Sequence, residues 1–168
     1  VELPACYPES LPVGAGTNPS ELVSLEFFNA TIKLYKIMSQ SIELLYGGNV
    51  GSNTQSDVFS SIAHLFSLEQ QLAGWKERLP PSLVLRESQD LSRFEEGGLP
   101  AHERSRVVLT LRYHNVRILV HRLILVRFLD MAGKDDLDEQ QFASFQQIGF
   151  NSVQICMHAA SEIINSIC

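Results

Sequence analysis

The stretch from Val107 to Met131, VVLTLRYHNVRILVHRLILVRFLDM, constrains the fold more than any other part of this chain. Its apolar residues recur at helical spacing but fall on nearly every side of the axis, and a helix that is apolar all round has to be surrounded by other elements. The run contains no glycine or proline, and Pro100 stands just before it where a helix can begin. The expectation is a central, buried third helix opened by Pro100, with other amphipathic helices laid against it. Arg104, Arg106, Arg112, Arg117, Arg122 and Arg127 lie along this helix. At about 100° per residue they scatter around it instead of forming a stripe, which fits half-buried ion pairs better than a nucleic-acid-reading face.

The partners of that helix are legible on either side of it. Pro19 follows Asn18, a capping residue, and Glu21 comes three residues after the cap, the signature of a helix start. Leu22, Leu25, Phe28, Ile32, Tyr35, Ile42 and Leu45 then repeat at helical spacing until Gly47 and Gly48 end the run, so they are read as the apolar seam of a first helix. After a polar loop at 47–56, Val58, Ile62, Leu65, Leu72, Trp75 and Leu79 mark a second helix. Pro80 steers Leu79 out of the α region, so this helix ends near Arg78. A fourth region carries Phe142, Phe145, Ile148, Ile155, Ala159, Ile163 and Ile167, with Gly149 expected to break it in two. No strand-like alternation and no internal repeat occur. The fold class is all-α, a multi-helical bundle-like body over 19–168, preceded by an extended arm at 1–19 and interrupted by an irregular segment at 80–100 that is the expected edge or ligand-facing element.

Composition excludes several classes of function. The net charge of −6 opposes an independent electrostatic grip on DNA or on anionic lipid. Only 19% of residues are charged, against about 25% for an ordinary globular domain, which suggests a face that is normally covered. There is no apolar run long enough for a membrane span and no signal-peptide pattern at the N-terminus, so no membrane partner is expected. Cys6, Cys156 and Cys168 are widely spaced and include no C-x-x-C pair, so they are read as reduced thiols and not as metal ligands.

Patterns that could carry chemistry are weak. Asp135-Asp136-Leu137-Asp138-Glu139 fits the letters of a magnesium-binding D-D-x-x-E motif, but no second acidic cluster accompanies it, and acids favour a helix N-terminus in any case. Gly14-Ala15-Gly16 lacks both the third glycine and the preceding strand of a dinucleotide fingerprint. The sequon Asn29-Ala30-Thr31 falls inside a helical pattern and is read as chance. His114 and His121 are two turns apart, too far to hold one metal as an i, i+4 pair, and are read as hydrogen-bonded core residues. No local nucleophile signature occurs, and no enzyme activity is expected.

Three ordered stretches carry a resemblance. LEQQLAGWKERLPPSL is followed by LTLRYHNVRILVHRLIL and then by VQICMHAASEII. Together they resemble the middle regulatory region of fungal zinc-cluster transcription factors, the fungal-specific or xylanolytic-activator-type regulatory domain. The family's Trp-x-x-x-Leu-Pro helix end is matched by Trp75, Leu79 and Pro80, its Tyr-His and His-Arg elements by Tyr113, His114, His121 and Arg122, and its Cys with paired alanines by Cys156, Ala159 and Ala160. Leu123 stands where the family usually has proline after His-Arg, so the third helix is expected to run straight through.

The resemblance implies the C-terminal portion of such a domain, in a nuclear, sequence-specific factor whose zinc cluster lies elsewhere in the full-length protein and makes the DNA contact. It implies no cofactor in this segment, with co-regulator proteins, a small effector and a homodimer of the full-length protein as the expected partners. The motif residues are expected to be structural: Trp75 as an anchor at a helix end, and Tyr113, His114 and Arg122 as core contacts, caps or ion-pair members. A helical scaffold or adaptor with no link to DNA is the alternative that composition alone equally allows.

Overall fold

A computed structural model describes residues 19–46, 54–86, 100–132 and 139–166. The helices are α1 (Pro19–Tyr46), α2 (Thr54–Glu77), α3 (Ala101–Ala132) and α4 (Glu139–Asn165), and a single 3₁₀ turn spans Pro81–Leu83. No strand occurs among the described residues, so the fold is all-α. The acidic pentad's first four residues, the glycine pair at 14 and 16, Cys6 and Cys168 lie outside the described residues.

The central position expected for the third helix is observed, since α3 packs against α1, α2 and α4 and also against the 3₁₀ turn. Leu109, Val116, Val120 and Ile124 are almost fully buried along it. It runs unbroken through Leu123, in keeping with the absence of proline there. No described helix is long and apolar enough to cross a membrane.

Burial on α1 and α2 follows an alternating three-and-four spacing, the register of helices that pack side by side. On α2 the buried set is Ser61, Leu65, Leu68, Leu72 and Trp75. On α1 it is Ala30, Leu34, Ile37 and Ser41, with Val23, Phe27 and Leu44 partly buried in the same register. This corrects the α1 seam read from the sequence: Leu22, Phe28, Tyr35 and Ile42 remain 52%, 51%, 41% and 39% exposed. The helix has two apolar faces whose registers differ by two residues, about half a turn around the axis. The face that packs contains the small residues Ala30 and Ser41, which let a neighbouring helix approach closely, and the larger side chains lie outside.

Gly149 also departs from expectation. It does not break α4, which is continuous from Glu139 to Asn165. A Cβ built on Gly149 would lie 2.9 Å from both Cγ and Cδ2 of Phe128, so the glycine makes room for an α3 ring.

Candidate functional site

Trp75 lies near the end of α2 and ties three helices together. It is 4% exposed, and its indole Nε1 donates a hydrogen bond to the Ala30 carbonyl of α1 at 2.9 Å. A helical carbonyl already accepts one amide N–H, and its second lone pair serves the indole. The ring also stacks on Tyr113 of α3, with centroids 5.8 Å apart and planes 9° from parallel. Burying a large aromatic ring with its polar handle satisfied is strongly stabilising.

The chain then turns at Leu79 and Pro80, both partly buried, and crosses the bundle as a strap. The Leu79 amide donates to the Lys76 carbonyl at 3.3 Å and the Leu83 amide to the Pro80 carbonyl at 2.9 Å, closing the helix end and the 3₁₀ turn. Leu83 is fully buried and fixes the strap against α1 and α3. Ser82 Oγ donates to Glu26 of α1 at 2.7 Å, Arg106 Nε of α3 donates to the Val84 carbonyl at 2.8 Å, and the Arg86 amide donates to Thr110 Oγ1 at 3.0 Å. Glu103 completes the attachment, pairing with Arg86 at 2.7 Å and Arg106 at 3.0 Å. Burial alone would raise the Glu103 carboxyl, but the two guanidiniums hold it below the ordinary carboxylate range. The first part of the irregular segment at 80–100 is therefore an ordered element with its backbone groups tied to α3, while 87–99 lies outside the described residues.

His121 joins α2, α3 and α4. It is 1% exposed, with Nε2 2.8 Å from Glu69 Oε1 on α2 and Nδ1 3.1 Å from Ser152 Oγ on α4. Both ring nitrogens thus have a partner, with Nε2–H donating to the carboxylate and Nδ1 sharing a hydrogen bond with the Ser152 hydroxyl whose direction depends on the tautomer. The hydrogen bond from His121 pulls the Glu69 carboxyl below its ordinary range against the opposing effect of burial, and Arg117, 4.0 Å away, adds to the lowering.

Serine, histidine and glutamate in one chain of hydrogen bonds have the letters of a nucleophilic triad, and three-dimensional packing brings them together where no local sequence signature does. The arrangement differs from the usual triad in two ways. The carboxylate holds Nε2 and the serine holds Nδ1, the reverse of the familiar order, and Ser152 is fully buried between helices with no approach for a substrate carbonyl. In this packing the trio acts as a polar tie between α2, α3 and α4.

The remaining motif residues are distributed unevenly. His114 is 7% exposed and edge-on to Tyr113, with centroids 5.2 Å apart, and burial lowers its affinity for a proton. Its Nδ1 meets no hydrogen-bond partner among the described residues. Burial likewise pushes the Tyr113 phenol up. Cys156 is partly buried, its Sγ 3.9 Å from the Ile118 carbonyl, and burial pushes its thiol above the ordinary range, away from thiolate reactivity. Ala159 is fully buried on α4 and Ala160 partly so. Arg122 is exposed, so of the core, capping and ion-pair roles expected for it the core contact is not observed, because one residue past the buried His121 the helix has turned about 100°.

Three of the scattered arginines of α3 have separate anchors. Arg106 and Arg117 are half-buried beside carboxylates. Arg112 lies over the rings of Phe27 and Tyr35, at 5.3 and 5.5 Å from their centroids, and donates to Thr31 Oγ1 at 3.0 Å. Glu69, Ser152, Glu103 and Thr110 escaped sequence reading because their roles depend on pairings across helices. Among the described residues no three His, Cys, Asp or Glu side chains form a group that could hold a metal ion. The three cysteines of the whole chain are also too few for a six-cysteine cluster.

Comparison with known proteins finds fungal relatives. Transcription factor FBD3 of Gibberella moniliformis (strain M3125 / FGSC 7600) is 26% identical over 146 residues, covering 84% of this chain and 19% of that protein. Transcription factor FBD3 of Fusarium pseudograminearum (strain CS3096) is 34% identical over 125 residues, covering 70% of this chain and 16% of that protein. The chain thus spans less than a fifth of the length of these curated relatives. No protein-family model matches the chain, and no solved structure matches it.

Proposed function

We propose that this chain is part of the regulatory body of a fungal, zinc-cluster-type, sequence-specific transcription factor, acting in the nucleus through contacts with co-regulator proteins or an effector. The observation that carries the reading is the similarity to two fungal transcription factors, at 34% identity over 125 residues for one of them. The packing gives it physical sense, because Trp75, Tyr113, His121 and Cys156, which the family resemblance singles out, all lie at contacts between helices. DNA contact and zinc belong to another part of such a factor, since the residues here fit neither: the chain is acidic and has three cysteines. The body itself is non-catalytic in this reading and takes no cofactor, its Ser152–His121–Glu69 chain of hydrogen bonds serving to fix helices.

The test is transcriptional. Fused to a heterologous DNA-binding module, the chain is expected to alter output from a reporter carrying that module's site. A soluble, helical fusion that leaves output unchanged in several promoter contexts would count against a regulatory role. Exclusively cytoplasmic localisation of the full-length protein under all conditions would favour a scaffold instead.

A further inference from the structure

His114 and His121 stand two turns apart on one face of α3, and their surroundings treat a proton differently. Each ring nitrogen of His121 has an oxygen beside it, from Glu69 of α2 at Nε2 and from Ser152 of α4 at Nδ1. A charged ring there keeps an acceptor for both of its N–H groups. His114 is 7% exposed, and its buried Nδ1 meets no hydrogen-bond partner among the described residues.

The neutral ring tolerates that position, because one of its nitrogens carries no proton and an unused lone pair costs less than a buried N–H without an acceptor. The charged ring does not. Whichever nitrogen holds the proton of the neutral form, both are donors in the imidazolium, and the N–H at Nδ1 then points at no oxygen. The neighbouring charges do not repair this. Burial is the largest influence and disfavours the imidazolium; Glu162 of α4 favours it without bonding to Nδ1, while Arg117 of α3, His158 of α4 and Lys76 of α2 oppose it. None of these groups lies on α1 or on the 3₁₀ turn. The balance holds the proton affinity of His114 below the ordinary imidazole range.

We propose that His114 is an acid-sensitive joint in the contact between α3 and α4: the neutral ring seats α4, and protonation leaves an N–H without an acceptor there and loosens α4 from α3 at its His158 and Glu162 end. The inference stands on the packing and is independent of the transcriptional reading. Its sign follows from linkage. A histidine that binds a proton less readily folded than unfolded leaves stability untouched at high pH, then removes it as pH falls through about 6.5, until the folded ring is charged as well. The carboxyls of Glu69 and Glu103, held below their ordinary range, act in the same direction only at more acid pH, below about 4.5.

The experiment is a pair of titrations on the 168-residue chain. In urea unfolding between pH about 7.5 and about 5.5, the unfolding equilibrium constant is expected to rise about five- to tenfold more for the wild-type chain than for His114→Phe, a variant with no hydrogen bond at Nδ1 to lose. In the NMR spectrum of the wild-type chain, the His114 ring should charge below the ordinary imidazole range, and the amide signals of α4 around His158 and Glu162 should move on the same curve. Equal pH dependence of the two chains overturns the proposal. So does a His114 ring that charges at or above the ordinary range in the folded chain, because an acceptor would then be reaching Nδ1. Amide signals of α4 that stay still while the ring charges overturn its role in seating α4. If His114→Phe fails to fold, the wild-type spectrum decides alone.

Discussion

The two ends of α3 are held by opposite devices. Toward its N-terminal half the contact is built around a side chain of maximal size: Trp75 enters between α1 and α3, stacks on Tyr113 and anchors its N–H on Ala30. Toward its C-terminal half it is built around a missing side chain: Phe128 lies over Gly149, with its ring centroid 6.3 Å from Phe145 and 5.9 Å from Phe150. One end gains specificity from directed polar and stacking contacts, the other from close approach of two helices. A tryptophan before a double proline announces itself in a sequence, whereas a glycine inside a helix looks like a breaker until its neighbour is known.

The largest expected effect lies at the tryptophan. Trp75→Ala should cost about 3–5 kcal/mol, read as a fall in the urea midpoint of the 168-residue chain, because it opens a cavity and removes the tie between α1 and α3. Trp75→Phe keeps an aromatic ring and loses the hydrogen bond to Ala30, so its cost should be clearly smaller. Equal losses for the two variants would break the account of a directed anchor, and a loss below about 1 kcal/mol for the alanine would break the idea that this end depends on size at all.

The opposite end tests the absent side chain. In an ordinary exposed helix interior, glycine to alanine gains roughly 0.5–1 kcal/mol. At Gly149 the sign should reverse, since the added methyl meets Phe128 at the base of its ring, where rotation gives little relief. Overpacking of this kind costs about 1–3 kcal/mol. The double variant Gly149→Ala, Phe128→Leu should recover part of that loss in a thermal melt. A stabilised single variant would mean that the glycine is a tolerated imperfection and that the two ends do not differ in kind.

How far the fold was legible follows from the same contrast. Helix existence, the stop at Leu79-Pro80, the central place of α3 and its passage through Leu123 are local or compositional properties, and each could be read from spacing, capping and proline chemistry. The α1 face could not, because Leu22, Phe28, Tyr35 and Ile42 offer as good a seam as Ala30, Leu34 and Ile37, and only the neighbour that needs close approach selects the smaller set. The candidate site was legible where a residue is conspicuous in itself, as with Trp75. It was hidden where a commonplace residue matters through a partner far along the chain, as with Ser152 beside His121 or Thr110 beneath the Arg86 amide.

The pair His121 and Arg122 sharpens this to adjacent residues. Sequence resemblance treats them as one element, yet the helix places the first at the junction of three helices and the second in solvent. Removing the imidazole by His121→Ala leaves the buried Ser152 hydroxyl and the Glu69 carboxylate without their shared partner, a loss on the order of 1–3 kcal/mol. Arg122→Ala removes an exposed side chain and should change stability by no more than about 0.5 kcal/mol. Side-by-side denaturation of the two variants measures the difference. Comparable losses would show that Arg122 holds structure despite its exposure. If Arg122→Ala instead leaves stability intact and changes reporter output in the fusion assay, then its place in the motif reflects contact with something outside this chain, a role that packing within the bundle could never have revealed.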